Sequence, residues 1–341
     1  MDAKRNARAL TLLPKDTPSG KLSRRRFLLS LGLLAGAGLT APYLSRSLTR
    51  SNERIESSRT ALGTWVRLVA QHPDSRVADR AISRAWAAIA TVDAQMSIHR
   101  ADSELSRVNA AAGEGAVRVG ADLLEVLARA QAGAIASNGV VDPTVLPLMR
   151  LYGFYRSGRS HLPTDRELKA TLELTGVRHL QIDRAAGTVA LTKRGAALDL
   201  GAIGKGWALD RAVAAMRAEG IESGLADVGR NVYGIGRPSD DADGWAVGVL
   251  HPASGEVDHV FHLRDSAVAT SGNYEQWTTL DGVRVGHLLD AKLGRPANPR
   301  LSASVLARTG TDSDEGSSLA FLTGPAGEGA IANRLATHYI G

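Results

Sequence analysis

Residues that could bind an anion are concentrated in the stretch LDLGAIGKGWALD, residues 198–210. An alternating apolar run there ends in Gly201, Gly204 and Gly206, and an amphipathic run follows from Trp207, which predicts a strand, a tight turn and a helix. Glycine lets the backbone approach a ligand closely, and the free amides of a helix start suit a phosphate. The spacing matches neither the dinucleotide-binding fingerprint nor the P-loop. A phosphate-bearing ligand and a plain turn with a solvated Lys205 both remain open.

A second stretch, TDSDEGSS at residues 311–318, offers oxygen atoms to a cation. Asp314 and Ser318 are four residues apart, so in a helix their side chains lie on one face. Carboxylate and hydroxyl oxygens suit Mg²⁺ better than Zn²⁺. The alternative is that Asp314 or Ser318 caps the start of a helix over 314–322.

The elements that must position these residues alternate between helical and strand periodicity. The pattern predicts a strand over 60–69, a helix over 75–94, a hairpin after Leu180, a run of strands between 224 and 307, and closing helices over 314–322 and 326–338. Strands in runs with helices between them favour an α+β fold on a largely antiparallel sheet.

The N-terminal residues resemble an export signal. Ser23–Leu28, SRRRFL, fits the twin-arginine pattern and precedes an apolar run shorter than a membrane span. We expect a Tat signal over residues 1–45, a linker over 46–58 and one domain over 59–341. This implies passage through the Tat translocon to the periplasm, followed by cleavage or by retention on an uncleaved signal anchor. A basic arm before a buried helix is the alternative.

Charge and cysteine content exclude several classes of function. The net charge of +6 equals the excess of residues 1–45, which carry eight basic and two acidic residues, so the rest of the chain is balanced. The basic pI is therefore no argument for nucleic-acid binding, and none is expected. The chain has no cysteine, which excludes disulfides, thiolate metal ligands and a cysteine nucleophile.

Several motifs, in this order, resemble the ApbE family of FAD:protein FMN transferases. They cover about residues 60–335: ALGTWVRL, MSIHRADSELSRVN, DPTVLPLMRLYGF, LDLGAIGKGWALD, GLADVGRNVYGIG, WAVGVLHP, VATSGNYEQ, GHLLDAKLGRP and TDSDEGSSLAFLTG. The resemblance implies an ApbE-like α+β fold and a Mg²⁺-dependent enzyme. The implied reaction joins FMN from FAD to a threonine hydroxyl of an acceptor protein and releases AMP.

The resemblance also implies roles for individual residues. His287 matches the histidine of the H-x-x-D-P-x-T-G pattern, where it would be the catalytic base. The implied metal ligands are Asp314, Ser318 and the backbone carbonyl of Gly204. The residues matching segments that line the flavin-nucleotide pocket are Thr64, Lys205, Asp227, Ser271 and Gly272.

Three departures from the family pattern bear on activity. Serine replaces threonine at Ser318, glycine replaces alanine at Gly204, and Ala291 replaces the proline after Asp290. Segment 313–318 also gains a charge and a glycine, which could weaken the metal site. The leading hypothesis is modification of an exported or membrane electron-transfer protein, in the manner of flavin transferases accessory to nitrous-oxide respiration. The alternatives are an FAD pyrophosphatase that gives FMN and AMP, and a non-catalytic periplasmic flavin carrier.

Overall fold

The computed structural model describes residues 53–155, 159–274, 276–297 and 300–341. The predicted Tat signal and the start of the predicted linker lie outside the described residues. Within the described ranges, no helix combines the length and the apolar character needed to cross a membrane.

The central element is a seven-stranded sheet in which every neighbouring pair is antiparallel. Its spatial order is β1-β2-β6-β7-β10-β15-β16. The strands are β1 Glu53–Ala61, β2 Thr64–His72, β6 Ser223–Val228, β7 Asn231–Ile235, β10 Ser266–Ser271, β15 Ser302–Ala307 and β16 Arg334–Ile340.

Smaller sheets and helices surround this sheet. The remaining strands are β3 Val117–Arg118, β4 Leu180–Asp183, β5 Thr188–Leu191, β8 Trp245–Leu250, β9 Val257–Leu263, β11 Trp277–Leu280, β12 Val283–Gly286, β13 Leu289–Asp290 and β14 Arg295–Pro296. The α-helices are α1 Ser75–Met96, α2 Glu104–Ala110, α3 Ala121–Ala136, α4 Leu146–Leu151, α5 Asp165–Leu172, α6 Gly204–Ala218 and α7 Gly310–Thr323, and short 3₁₀ segments span Val177–His179 and Gly324–Ala330.

Both faces of the main sheet are covered. Helices α1 and α6 bury their apolar sides, including Ile89 and Met216, against Leu68 and its neighbours on one face. The β8–β9 hairpin covers the other face through residues such as Phe261. Adjacent strand residues point to opposite faces, so Leu68 and Val69 belong to different cores. The α+β class with antiparallel sheets is therefore confirmed.

The start of the domain differs from the prediction. Strand β1 begins at Glu53, so residues 53–58, which were assigned to the linker, are strand. The single strand predicted over 60–69 is instead a hairpin that turns at Leu62 and Gly63, both of which have positive φ. The polar, serine-rich composition of β1 suggested a linker, but β1 is an edge strand that is largely exposed to water.

The strand predicted before the glycine turn has no regular secondary structure and joins no sheet of the described residues. The side chain of Asn109 replaces a neighbouring strand there, because it accepts the N–H of Leu198 at 2.6 Å and donates to the carbonyl of Leu198 at 2.9 Å. An amide side chain offers both a donor and an acceptor, so it satisfies the same two groups as a strand partner.

The last predicted helix, over 326–338, is wrong. Glycine-rich residues 324–330 form only a 3₁₀ segment, Asn333 takes a positive φ, and β16 then pairs with β15. Glycine and proline disfavour a helix in this region, whereas the exposed edge of β15 offers hydrogen bonds to a strand.

Candidate active site

The predicted site residues meet at one end of the main sheet, in a cavity of about 390 Å³. The β1–β2 turn, the β6–β7 turn at Gly229, the end of β10 and the start of α6 contribute to its walls. Asp227 is absent from the lining. The other eight predicted residues line the cavity: Thr64, Gly204, Lys205, Ser271, Gly272, His287, Asp314 and Ser318.

Asp314 is a buried carboxylate in the interior of α7. The helix begins at Gly310 and is capped by the side chain of Thr309, so the alternative that Asp314 or Ser318 caps it is wrong. Asp314 is only 3% exposed and accepts hydrogen bonds from the backbone N–H of Gly206 at 2.9 Å and from the Lys205 ammonium at 3.1 Å. The carboxylate therefore joins α7 to the start of α6.

Two glycines, Gly206 of α6 and Gly310 of α7, allow this contact between the helices. A Cβ atom on Gly206 would lie 2.3 Å from the Gly310 carbonyl oxygen and 2.8 Å from the Cβ of Asp314. Any larger residue would push α6 and α7 apart. Of the glycines in the turn, Gly206 is thus required for packing, whereas a Cβ on Gly204 would meet only the Cβ of Leu200 at 3.7 Å.

Serine hydroxyls join the end of β10 to α7. The Ser271 Oγ lies 2.8 Å from the Ser317 Oγ and 3.4 Å from the Ser318 Oγ. Ser318 is 5% exposed and lies one helical turn after Asp314. The Asp314 carboxylate and the hydroxyl-bearing residues Ser271 and Ser318 all line the cavity.

The Asp314 carboxylate and the Ser318 hydroxyl suit a hard cation. Gly204, whose backbone carbonyl is expected as a third ligand, is the first residue of α6 and also lines the cavity. No group of three or more His, Asp or Glu in the described ranges could hold a metal ion. A cation here would need Asp314, Ser318, the Gly204 carbonyl and oxygens of the substrate.

His287 is held in one tautomer. Its Nδ1 lies 3.1 Å from the backbone carbonyl of Gln276, which can only accept, so Nδ1 carries the proton and Nε2 is left with a free lone pair. Burial and, to a lesser degree, the charge of Lys205 lower the pKa of His287 below its usual 6.5. The imidazole is therefore neutral at pH 7 and able to accept a proton.

Asp227 has a different environment from the one expected. Its Oδ1 accepts the N–H of Arg230 at 2.8 Å and so closes the β6–β7 turn, in which Gly229 and Arg230 both have positive φ. Burial raises the pKa of Asp227 to about 6. The carboxylate thus supports the turn, and Gly229 of that turn lines the cavity.

Comparisons with known proteins agree with this fold and cavity. The family model described as ApbE family matches residues 62–340. The chain belongs to the ApbE family. An FAD:protein FMN transferase of Vibrio cholerae is 32% identical over 75% of this chain and 78% of its own length, and one of Treponema pallidum is 32% identical over 86% and 83%. The crystal structure of an ApbE protein from Thermotoga maritima superposes with a TM-score of 0.76 at 28% identity, covering 84% of this chain and 94% of its own.

Family membership confirms three predictions from the sequence. The family, the ApbE-like α+β fold and the enzyme class, FAD:protein FMN transferase, are as expected. The subtype accessory to nitrous-oxide respiration stays a prediction, as do the roles of individual residues.

Asp199 and Glu315 are ionisable residues of this ApbE-family cavity that the sequence analysis did not single out. Asp199 is 8% exposed, and its Oδ1 accepts the N–H of Gly201 at 2.6 Å. Burial, and then the charge of Asp199 and a hydrogen bond with it, raise the pKa of Tyr155. Glu315 lies beside Gly133 of α3, and burial raises its pKa to about 7. The signals in the sequence were positional: Asp199 lies two residues before Gly201 of the glycine turn, and Glu315 directly follows Asp314.

Proposed function

We propose that this flavin transferase moves the FMN moiety of FAD to a threonine hydroxyl of an acceptor protein, with Mg²⁺ bound in the cavity and AMP released. One observation carries the proposal. A neutral histidine with a free Nε2 and a buried carboxylate with neighbouring hydroxyls line the same cavity. Transfer of a phosphoryl group to a hydroxyl needs both parts: a proton acceptor for the nucleophile and an oxygen site for a cation that neutralises the phosphates.

His287 acts on the acceptor hydroxyl. Its Nε2 takes the proton as the threonine Oγ attacks the phosphorus on the FMN side of the FAD pyrophosphate. A new P–O bond forms to threonine, and the bond from that phosphorus to the bridging oxygen breaks. AMP leaves with the bridging oxygen, and the proton passes from His287 to AMP or to water. The Gln276 carbonyl holds the ring and stabilises the protonated imidazole.

The oxygen atoms of Asp314, Ser318 and the Gly204 carbonyl would hold Mg²⁺. When bound, the ion neutralises charge on the pyrophosphate and polarises the bond that breaks. Lys205 lies beside Asp314, with its Nζ also 3.0 Å from the Gly201 carbonyl, and would be free to bind a phosphate oxygen once a cation pairs with Asp314.

The acceptor and the location are proposals from the sequence. A Tat signal over residues 1–45 would deliver the enzyme to the periplasm, where we expect an exported or membrane-associated electron-transfer protein to carry the threonine. Fractionation of cells that produce the full chain, and of cells in which Arg24 and Arg25 are replaced by lysine, tests the location. The Tat hypothesis fails if the lysine variant is exported as well as the native chain.

The reaction is tested by intact mass spectrometry. The chain without residues 1–45 is incubated with FAD, Mg²⁺ and a candidate acceptor domain that contains threonine. A mass gain of one FMN moiety less water, abolished by EDTA, by Asp314→Ala and by His287→Ala, is expected. Free FMN beside an unmodified acceptor would instead indicate FAD pyrophosphatase activity, and intact bound FAD would indicate a flavin carrier.

A further inference from the structure

Asn273 lies in the turn that follows β10, directly after the cavity-lining residues Ser271 and Gly272. Asn273 itself does not line the cavity, and the transferase reaction described above makes no use of it. Its side chain is half-buried and contacts the segment of chain that carries His287. The side chain is therefore placed to act on the base from behind the cavity wall.

The amide of Asn273 makes two hydrogen bonds with this segment and the chain beside it. Its Oδ1 accepts the N–H of Leu288 at 3.0 Å, and its Nδ2 donates to the carbonyl of Ala297 at 2.6 Å. The N–H of Ala297 in turn donates to the carbonyl of Leu288 at 3.1 Å. An amide side chain offers both an acceptor and a donor, so it closes a ring of three hydrogen bonds that joins the turn after β10 to the residues before β13 and after β14.

The backbone of His287 is held on both sides of its Cα atom. Its own N–H donates to the Gln276 carbonyl at 3.2 Å, and the same carbonyl lies 3.1 Å from Nδ1 of the ring. The next N–H along the chain, that of Leu288, is the one that Asn273 accepts. With both peptide groups bonded, rotation about φ and ψ of His287 is restricted, and the direction of its side chain is set by its backbone. A catalytic group held in this way keeps the geometry that proton transfer needs.

Gly286 leaves the space that the Asn273 amide fills. A Cβ atom on Gly286 would lie 2.0 Å from the Asn273 Cγ and 2.4 Å from its Nδ2. Gly286 is the last residue of β12 and immediately precedes His287. The amide therefore packs against the backbone on one side of the base and bonds to the backbone on the other.

We propose that Asn273 is a positioning residue for transfer. Its amide holds the backbone of His287 so that Nδ1 meets the Gln276 carbonyl and Nε2 faces the acceptor hydroxyl. The inference rests on the proposed function, in which His287 is the base. It adds a residue outside the cavity lining through which the base is held, and it explains why a glycine stands immediately before His287.

The rate of transfer is the first measurement, made by intact mass spectrometry on the chain without residues 1–45. Asn273→Ala should lower kcat by about 10–100-fold and change the KM for FAD by less than about threefold, because it displaces the base and leaves the nucleotide contacts in place. Asn273→Asp still accepts from the Leu288 N–H and should lower kcat by less than about fivefold. Gln131→Ala is the matched control and should leave kcat unchanged, since it removes a 2.9 Å amide bond to the Leu180 carbonyl away from the cavity lining.

The tautomer of His287 is the second measurement, and a general loss of stability does not change it in the folded chain. NMR of the chain labelled with ¹⁵N-histidine, at pH 8 and without FAD, should show Nδ1 protonated and Nε2 bare. The His287 signals are assigned by their absence from the spectrum of His287→Gln. In Asn273→Ala the ring should separate from the Gln276 carbonyl, and the signals should shift toward a mixture of the two neutral tautomers.

Gly286→Ala displaces the amide without changing Asn273, so it provides an independent variant for both measurements, including the case in which Asn273→Ala does not fold. It should lower kcat and shift the tautomer in the same direction. Asn273→Ala removes the Cγ and Nδ2 atoms that the new Cβ would meet, so the double variant should lose less rate than the product of the two single losses. Fully multiplicative losses would contradict an action of Gly286 through the amide.

The two measurements separate this inference from the proposed function. A native kcat and a native tautomer in Asn273→Ala or in Gly286→Ala, with His287→Gln inactive, would overturn the inference and leave the proposed reaction standing. A shifted tautomer in Asn273→Ala, together with a native rate in His287→Gln, would show that Asn273 positions His287 and that His287 is not the base.

Discussion

Replacing Asp227 by asparagine distinguishes a role in the β6–β7 turn from a role in flavin binding. The carboxylate accepts the Arg230 N–H, and an asparagine oxygen can accept the same bond. Burial raises the pKa of Asp227 from 3.8 to about 6. Asparagine therefore resembles the protonated acid, keeps the turn and removes a charge that the fold must hold away from water.

The size of the effect follows from proton linkage. Because the pKa is higher in the folded chain, the folded state binds the proton more tightly, and this group's stabilising contribution is lost as the pH rises from about 4 to 6. A difference of about two pKa units corresponds to about 3 kcal/mol. Asp227→Asn should therefore raise the free energy of unfolding by up to about 3 kcal/mol at pH 8. At pH 4 the gain should fall below about 1 kcal/mol.

Urea unfolding and thermal melts at pH 4 and pH 8 measure this difference, with a rise in Tm of roughly 6 °C expected at pH 8. Asp183→Asn is the matched control, because Asp183 closes the β4–β5 turn through the Ala186 N–H at 2.9 Å but is exposed. FAD titration of the Asp227 variant completes the experiment. Weakened FAD binding without a gain in stability at pH 8 would refute the assignment to the turn and support the flavin contact expected from the sequence.

Three further predictions concern the cavity. Gly206→Ala should lower the free energy of unfolding in urea by about 1–3 kcal/mol, because the new Cβ would lie 2.3 Å from the Gly310 carbonyl oxygen. Gly204→Ala is the control and should be neutral or stabilising, because its Cβ would lie 3.7 Å from the Leu200 Cβ. The rate of FMN transfer should rise with pH through an apparent pKa below 6.5, because burial favours the neutral form of His287. In a mass-based rate assay, His287→Gln should lower the rate by a factor of about 10²–10⁴ and remove this pH dependence. A pH profile that His287→Gln leaves unchanged would exclude His287 as the base. Asp314→Asn should abolish transfer and the response to added Mg²⁺ in the same assay, and a variant that still responds to Mg²⁺ would place the ion elsewhere.

Sequence periodicity predicted the elements whose pattern reflects their own burial. Helix α1 carries buried residues at helical spacing, and the glycine turn before α6 is visible as spaced glycines. Periodicity failed where residues far away in the sequence supply the hydrogen bonds of the backbone. The backbone of Leu198 bonds to the side chain of Asn109, and β16 pairs with the edge of β15. No local window contains such a partner.

The site was predictable from the sequence to about the same extent as the fold. Motif order identified Asp314, Lys205 and His287, and all three line the cavity. Motifs could not indicate that the Gly206 N–H donates to Asp314, because that hydrogen bond crosses the α6–α7 contact between segments about a hundred residues apart. The environment of Asp227 was likewise hidden, since a turn-closing aspartate and a ligand-binding aspartate have the same residue type.

Lys205 links the state of the cation site to the binding of substrate. Its ammonium and the Gly206 N–H satisfy the buried Asp314 carboxylate, so the chain need not hold an unpaired charge in its interior. A cation at Asp314 would compete with that ammonium. Lys205 would then be available to bind a phosphate, and the phosphate would add oxygen ligands for the cation. With a single carboxylate, the site is therefore expected to bind Mg²⁺ weakly alone and more tightly when FAD is present. Mg²⁺ would release Lys205 for the phosphate, and the phosphate would supply ligands to Mg²⁺, so each would raise the affinity for the other.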